Sequence, residues 1–461
     1  MKTPRKISRR KFLVEANCAA VGSISLFSSL FTLKLTAGAV SGGPLPGYKA
    51  LVCLFLSGGN DSFNMLVPRQ QEAYDAYAAV RSTLALEQNS LLPISTTGQA
   101  YTEFGLHPAL TELQALYNAG HAAFVSNVGT LVEPLTIQQY LSGVASLPTG
   151  LFSHSDEQLH WQTVVPQVAG SGPRGWAGRM ADCLSQANSS GSIAMNVSLS
   201  GTNVMQSGNQ SVPYITDPAG AVQLAEYAVD PASQMAIDSV LSQEYRNLYQ
   251  KTLSSNLRGS IDTAMLFEEA TNAVQLTEAF PDTGTGKRLA SIARILAARS
   301  PLGMNRQVFF LRLGGWDHHK EVLVKQEGLF AQVDAAIGAF WRELGHLGLQ
   351  DDVALFTASD FGRTLTSNGL GSDHAWGGNH FVIGGGINGG KIYGDYPVVA
   401  RNAPLDVGRG RLLPTTSIDA YMAELASWFG VAPAELSTVF PNAGNFFDPL
   451  GNPFPMGMFQ T

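Results

Sequence analysis

The sequence predicts an α/β protein built around a mostly parallel sheet. Short, continuous apolar runs alternate with longer segments of helical periodicity, and such runs are typical of strands buried on both faces. The 48 glycines among 461 residues indicate many tight turns between these elements. With 45% apolar and 14% charged residues, the composition excludes a disordered or coiled-coil protein.

Six apolar runs, each followed by glycine or small polar residues, are predicted strands: residues 50–56, 122–126, 193–199, 308–313, 353–357 and 381–383. Five segments are predicted helices: 108–118, 219–251, 289–298, 321–344 and 416–429. Residues 217–300 are almost entirely helical in pattern, so we expect a helical insertion that serves as a cap or lid. Residues 441–461 are predicted to be a C-terminal tail.

Residues 1–39 resemble a twin-arginine export signal. Arg9 and Arg10 lie in a basic segment that precedes the mildly apolar stretch 16–33, and Ala39 ends a small-residue cleavage site. The alternative is a membrane anchor, but serine, glycine and asparagine dilute the apolar stretch. We therefore expect transport by the twin-arginine translocase, cleavage after Ala39, and a periplasmic or secreted bacterial protein.

Charge is unevenly distributed between this segment and the rest of the chain. Residues 1–39 carry a formal charge of +6 and the remaining residues carry −13, although the whole chain has only −7. Nucleic acid is excluded as a main partner because phosphate binding requires clustered Lys and Arg. Cys53 and Cys183 alone remain after the expected cleavage, which excludes a disulfide framework and a cysteine-rich zinc site.

Acidic and histidine residues follow three of the predicted strands. Asp61 follows the first run, 317–319 (Asp-His-His) follow the run 308–313, and 359–364 follow the run 353–357, with 373–374 (Asp-His) shortly after. Ligands bind beyond the carboxyl ends of parallel strands, so these residues could together bind one or two divalent cations. Taken singly, each group could instead be a turn aspartate, a polar loop or a helix cap.

The order of these motifs resembles a bacterial family of unknown function, numbered 1501. Residues 58–61 (Gly-Gly-Asn-Asp), 153–154 (Ser-His), 315–319 (Gly-Trp-Asp-His-His), 359–364 and 373–374 carry the resemblance. That family is similar in fold to the alkaline phosphatase and sulfatase superfamily. The resemblance implies a three-layer α/β/α sandwich over residues 48–440 that hydrolyses phosphate or sulfate esters at a one- or two-metal site.

The resemblance also implies a set of metal ligands. The matching residues are Asp61, Asp317, His319, Asp360 and His374, and the cation would be Zn, Mn, Mg or Ca. Phe361 departs from the pattern, because the hydrolytic superfamily usually has histidine after this aspartate. Either the site holds one metal, or His318 or His154 substitutes, or the scaffold binds without hydrolysing.

Ser153, His154 and Arg363 are the candidate catalytic residues. Ser153 starts a predicted helix, whose N-terminus favours an anion or a developing alkoxide, although it could simply cap that helix. Arg363 could bind the anion of a small ester substrate or could pair with a structural carboxylate. The competing hypothesis is a non-catalytic metal-binding or assembly protein, working with a second exported protein.

Overall fold

The computed structural model describes residues 45–170, 174–189, 193–218, 220–221, 227 and 230–459. The predicted signal at residues 1–39 lies outside the described residues. Within them, a mixed, mostly parallel sheet lies between two layers of helices, which confirms the predicted α/β/α sandwich.

Ten of the described strands form the main sheet, in the order β12-β5-β11-β10-β1-β9-β6-β7-β8 with β13 beside β5, and β2, β4 and β3 form a small antiparallel sheet. The bounds are β1 (Lys49–Ser57), β2 (Leu66–Pro68), β3 (Leu92–Ser95), β4 (Glu103–Leu106), β5 (Ala122–Gly129), β6 (Asn196–Ser198), β7 (Tyr214–Asp217), β8 (Gly220–Ala221), β9 (Arg306–Gly314), β10 (Val353–Ser359), β11 (Gly378–Gly384), β12 (Ile392–Tyr393) and β13 (Thr416–Ser417). All six predicted runs overlap observed strands.

The direction of four strands decides where the polar clusters lie. β10, β1 and β9 are adjacent and parallel, so their carboxyl ends share one edge of the sheet. β11 runs antiparallel to both β10 and β5, which departs from the parallel pattern expected of the apolar runs. Its amino end therefore lies at the same edge, and His374, which precedes β11, is carried to the clusters that follow the parallel strands.

The described helices are α1 (Gln71–Arg81), α2 (Thr111–Asn118), α3 (Ile137–Ser142), α4 (His154–Thr163), α5 (Trp176–Cys183), α6 (Pro231–Leu241), α7 (Leu248–Asn272), α8 (Gly284–Ala297), α9 (Val322–Leu347), α10 (Ile418–Phe429) and α11 (Leu436–Val439). α10 begins two residues later than predicted, because Thr416 and Ser417 pair with β5 and the Ser417 hydroxyl then caps the helix. No helix in the described part of the chain is long and apolar enough to cross a membrane.

The two layers follow from the alternation of side chains along β1. Leu51, Cys53 and Phe55 pack with residues of α4, α5 and α10, whereas Val52 and Leu54 pack with residues of α1, α2, α8 and α9. The sheet is thus buried on both faces, as its continuous apolar strands require.

Two segments predicted as peripheral contribute to these cores. In the section 217–300, α6 and α7 are followed by α8, whose Leu289 and Ile292 are fully buried in the core beside α9. Near the C-terminus, Met458 and Phe459 are buried in the other core, and their amides donate to the carboxylate of Glu424 in α10. Both segments therefore help to bury the faces of the main sheet.

Candidate metal centre

Two glycines after β1 hold three strand ends together. Gly58 and Gly59 have φ values of 123° and 86°, a backbone conformation that residues with a Cβ atom rarely adopt. A Cβ atom at Gly58 would lie 2.4 Å from the backbone nitrogen of Asp317, and one at Gly59 would lie 2.5 Å from the Phe361 ring. The close turn brings the loops after β9 and β10 against β1.

Asp317, in the loop after β9, lies at the centre of three imidazoles. Nε2 of His154 is 3.4 Å from Oδ2 of Asp317, and Nε2 of His319 and of His374 are 3.1 and 3.4 Å from Oδ1. Nε2 of His319 is also 3.0 Å from Nε2 of His374. The ligand atoms of His154, Asp317 and His374 all lie within 4.8 Å of one another, so the described residues contain a possible metal-binding group.

Each of the three rings is held through its Nδ1 atom. Nδ1 of His154 lies 2.7 Å from Oδ2 of Asp360, and Nδ1 of His319 lies 3.1 Å from Oδ1 of Asp373. Nδ1 of His374 lies 2.8 Å from the carbonyl oxygen of Phe152. A carboxylate or carbonyl oxygen only accepts, so each Nδ1 donates, and the neutral ring then presents a lone pair on Nε2.

This arrangement fits a cation. Metal-bound histidines characteristically donate their second ring N–H to a carboxylate or carbonyl, which fixes the ring and its tautomer. Tetrahedral ligands at the usual zinc distances are separated by about 3.3 Å, similar to the spacings around Asp317. The lone pairs of His319 and His374 face each other at 3.0 Å, and Nε2 of His154 has no hydrogen-bond partner among the described residues. A cation between these atoms would remove the repulsion and satisfy the free nitrogen.

Electrostatics at the cluster favour positive charge on His154 and negative charge on Asp317. The hydrogen bond to Asp360 is the main reason that the pKa of His154 is raised, with burial opposing and Asp317 adding to it. Burial raises the pKa of Asp317, but the Arg363 guanidinium and the neighbouring histidines outweigh it, so this pKa lies below its usual value. The side chains of Asp317 and His154 are 43% and 31% exposed, so the cluster is open to solvent.

Asp61 and Asp360, predicted as ligands, occupy different positions from Asp317. Oδ2 of Asp61 lies 2.6 Å from Nη2 of Arg81 and accepts from the Ser372 hydroxyl, so Asp61 is held in a buried ion pair outside the group. Asp360 is fully buried, and its Oδ1 accepts from the amide of Gly58. Of the predicted ligands, the structure therefore brings Asp317, His319 and His374 together and places Asp360 behind His154.

Phe361 fills space beside the histidines. Its ring lies 4.9 Å from the His154 ring and 4.6 Å from the His374 ring, and the residue is 3% exposed. His318 is also buried and lies outside the group, and burial lowers its pKa to about 4. Of the two substitutes considered for the missing histidine, the structure places His154 at the cluster.

The start of α4 carries the predicted nucleophile. Ser153 is the N-cap residue, but its side chain makes no capping hydrogen bond, and its Oγ lies 3.0 Å from Oγ of Ser155. Phe152, just before it, has a φ of 69°, a conformation that non-glycine residues adopt rarely and that is often found at functional sites. Its carbonyl orients His374, so the strained backbone supports the cluster.

Arg363 is not available to a substrate. Its side chain is fully buried, its Nη1 donates to Oδ1 of Asp317 at 2.8 Å and to Gly58, and its other donors bind Ser372. Of the two predicted roles, the geometry agrees with pairing to a carboxylate. Arg363 fixes Asp317 in the orientation that faces the imidazoles.

Gln158 was missed from the sequence, and Asp373, which the sequence offered with His374 as a possible cation ligand, instead orients His319. Gln158 lies one helical turn after His154, and its Nε2 donates to the same Oδ2 of Asp360 at 2.7 Å. Asp373 holds His319, and it also accepts from Asn368 and pairs with Arg409. The i, i+4 spacing of His154 and Gln158 on one helix face is the signal that could have identified Gln158.

A protein-family model matches most of the chain. The model of the family described as "Protein of unknown function (DUF1501)" matches residues 48–409. The chain belongs to this family. The match begins just before β1 and ends at Arg409, so it includes every residue of the cluster. No curated protein matches the chain.

Distant similarities to solved structures accompany the family match. A sulfatase from Pseudoalteromonas sp. is 10% identical with a TM-score of 0.36, and the alignment covers 95% of this chain and 77% of that one. A phosphonate monoester hydrolase from Silicibacter pomeroyi is 10% identical with a TM-score of 0.34, covering 83% and 73%. The soluble domain of a lipooligosaccharide phosphoethanolamine transferase from Neisseria meningitidis is 11% identical with a TM-score of 0.35, covering 89% and 95%. Similarity at this level assigns neither an activity nor site residues to this chain.

Proposed function

We propose that the protein is an exported, metal-dependent hydrolase of phosphate or sulfate esters. The observation that carries this proposal is the convergence of three anchored imidazoles on Asp317, each with its Nε2 directed inward. The proposed ligands are His154, Asp317, His319 and His374. His154 thus replaces Asp61 and Asp360 in the set that the sequence predicted. Three nitrogen ligands favour zinc over manganese, magnesium and calcium, which prefer oxygen.

A divalent cation bound there would supply Lewis acidity and stabilise negative charge on the ester oxygens. The residues of the chain position the site around it. Arg363 holds the Asp317 carboxylate, and Asp360 holds His154 with its Nε2 facing inward. Ser153, next to His154 and free of a capping bond, is the proposed nucleophile, because a helix N-terminus stabilises a developing alkoxide.

Metal analysis and hydrolysis assays on the same samples test the proposal. Purified protein should contain a divalent cation and should hydrolyse p-nitrophenyl phosphate or p-nitrophenyl sulfate. His319→Ala should lose both, whereas His346→Ala should lose neither, because His346 is exposed at the end of α9 and pairs with Glu278. Ser153→Ala should retain the metal and lose turnover. A purified wild-type protein that contains no divalent cation would reject the proposal.

A non-catalytic metal-binding or assembly role is the second candidate. Phe361 supports it, because an apolar ring fills the space beside His154 and His374 where the resemblance implies a further ligand. Stoichiometric metal without turnover of either ester would favour this function, and co-purification with a second exported protein would support it further.

Export is also a proposal, supported by the twin arginines and the cleavage site of the sequence. N-terminal sequencing of protein recovered from the periplasm or the medium tests it. We expect a chain that begins at Val40, and an intact start at Met1 in that fraction would reject cleavage.

A further inference from the structure

We infer that Arg312, at the carboxyl end of β9, binds the oxyanion of the substrate. The inference rests on the proposed function, because it assigns the anion-binding residue of the same centre. The sequence predicted Arg363 for this role, but that side chain is fully buried with its donors directed at Asp317, Gly58 and Ser372.

Side chains alternate between the two faces of β9, and this alternation places Arg312 on the face that packs against α4. Val308 and Phe310 pack in the core that contains Trp161 of α4, and Arg312 is the next residue on that face. The apolar core ends there, and Arg312 is exposed. A charged, solvent-accessible side chain therefore extends from the edge of the sheet where the metal centre lies.

Arg312 is connected to the centre through neutral groups. Its Nη2 donates to Oγ of Ser57 at 2.5 Å and to Oε1 of Gln158 at 3.4 Å. Nε2 of Gln158 donates in turn to Oδ2 of Asp360, the oxygen that holds His154. The Gln158 side chain thus lies between the Arg312 guanidinium and Asp360, which orients the proposed ligand His154.

Arg312 differs from the other arginines near the centre in the partners of its guanidinium. Arg363 is paired with Asp317, and Arg409 is paired with Asp373. Arg411 donates to the carbonyl of His374 and lies over the Phe152 ring, so it supports the loop behind the histidine. Among the described residues, the Arg312 guanidinium donates only to a hydroxyl and an amide, so its charge remains available to an anion.

The chemistry of the ligand follows from the charge balance at the centre. Asp317 and Asp373 are paired with Arg363 and Arg409, and Arg312 adds a third positive charge against that of Asp360 without forming an ion pair with it. The formal charges of these three carboxylates and three guanidinium groups sum to zero, so a bound divalent cation would leave the centre net positive. The rest of the mature chain is strongly acidic, so an anionic ester needs this local positive charge. A phosphate or sulfate oxyanion matches the fork of donors that a guanidinium presents.

Titration of the zinc-loaded protein with inorganic phosphate and, separately, with inorganic sulfate tests Arg312 without depending on turnover. The variants are Arg312→Met, Arg312→Lys and the control Lys251→Met, which removes a positive charge from an exposed position on α7. Zinc content is measured in each. We expect Arg312→Met to bind the preferred anion about 10- to 100-fold more weakly, the loss typical of a charge-assisted hydrogen bond. Arg312→Lys should bind with intermediate affinity, and Lys251→Met should bind as the wild type does.

The outcomes separate the two proposals. Unchanged anion affinity in Arg312→Met, or no binding of either anion by the zinc-loaded wild type, would overturn the role of Arg312 and leave the metal centre standing. A wild-type protein that takes up no zinc or other divalent cation would overturn the metal centre itself. The preference between phosphate and sulfate identifies which ester class the site accepts.

Discussion

Oδ2 of Asp360 lies 2.7 Å from Nδ1 of His154, and the carboxylate that makes this contact is fully buried. The same oxygen accepts from Gln158 one helical turn later, so Asp360 aligns the first two turns of α4 with the end of β10. Such a carboxylate behind a histidine increases the basicity of the ring as a ligand and fixes its direction.

Replacement of this carboxylate should therefore weaken metal binding. We expect Asp360→Asn to lower zinc affinity by about 10- to 100-fold, as loss of an outer-shell partner generally does. Competition with a chelator of known affinity measures the change. Asp351→Asn is the control, because Asp351 is exposed in the turn before β10. Equal affinity in Asp360→Asn and the wild type would contradict the positioning role.

Asp61 should be important for stability rather than for metal binding. It forms a buried ion pair with Arg81, and removal of one partner from such a pair leaves an uncompensated charge. Asp61→Asn should lower the free energy of unfolding by about 3 kcal/mol or more in urea titration. The control Asp262→Asn removes an exposed partner of Arg258 and should cost less than about 1 kcal/mol. Loss of zinc from natively folded Asp61→Asn would instead identify Asp61 as a ligand.

Two glycine substitutions compare the turn after β1 with an ordinary position in a helix. Gly58→Ala should displace Asp317, because the added Cβ atom would lie 2.4 Å from its backbone nitrogen, and both stability and zinc affinity should fall. Gly328→Ala, in α9 with open space around it, should stabilise the protein by about 0.5 to 1 kcal/mol. Unfolding curves and zinc titration measure both variants. Normal zinc binding in Gly58→Ala would show that the turn does not position Asp317.

The centre should bind one cation per chain. Phe361 is buried against His154 and His374 and offers no ligand atom, and Asp61 is held by Arg81. Elemental analysis after dialysis should therefore give one equivalent of zinc in the wild type and less in His374→Ala. Two tightly bound equivalents would contradict the single centre.

The location of the site followed from strand patterns, whereas the ligand set did not. Continuous apolar runs identified β1, β9 and β10, and parallel pairing then placed the residues after them at one edge. Whether a particular aspartate faces a cation or an arginine depends on tertiary contacts, and Arg81, which holds Asp61, lies 20 residues later at the end of α1. Arg363 was similarly ambiguous, because sequence does not reveal whether a guanidinium is buried.

Two further features could not be predicted from the sequence: the direction of β11 and the roles of Gln158 and Arg312. β11 is antiparallel, and a short apolar run carries no signal for the direction of its neighbours, so the route by which His374 reaches the cluster was not predictable. Gln158 and Arg312 were missed because neither is a common metal ligand or lies in a recognised motif. Their roles depend on hydrogen bonds between separate elements, which only the folded chain shows.

Anomalous diffraction from crystals of the zinc-loaded protein, recorded on both sides of the zinc absorption edge, tests the central claim most directly. We predict one anomalous peak per chain, within bonding distance of Oδ1 or Oδ2 of Asp317 and of Nε2 of His154, His319 and His374. A structure with no zinc at this position, or with zinc bound by Asp61 and Asp360 instead, would contradict the account.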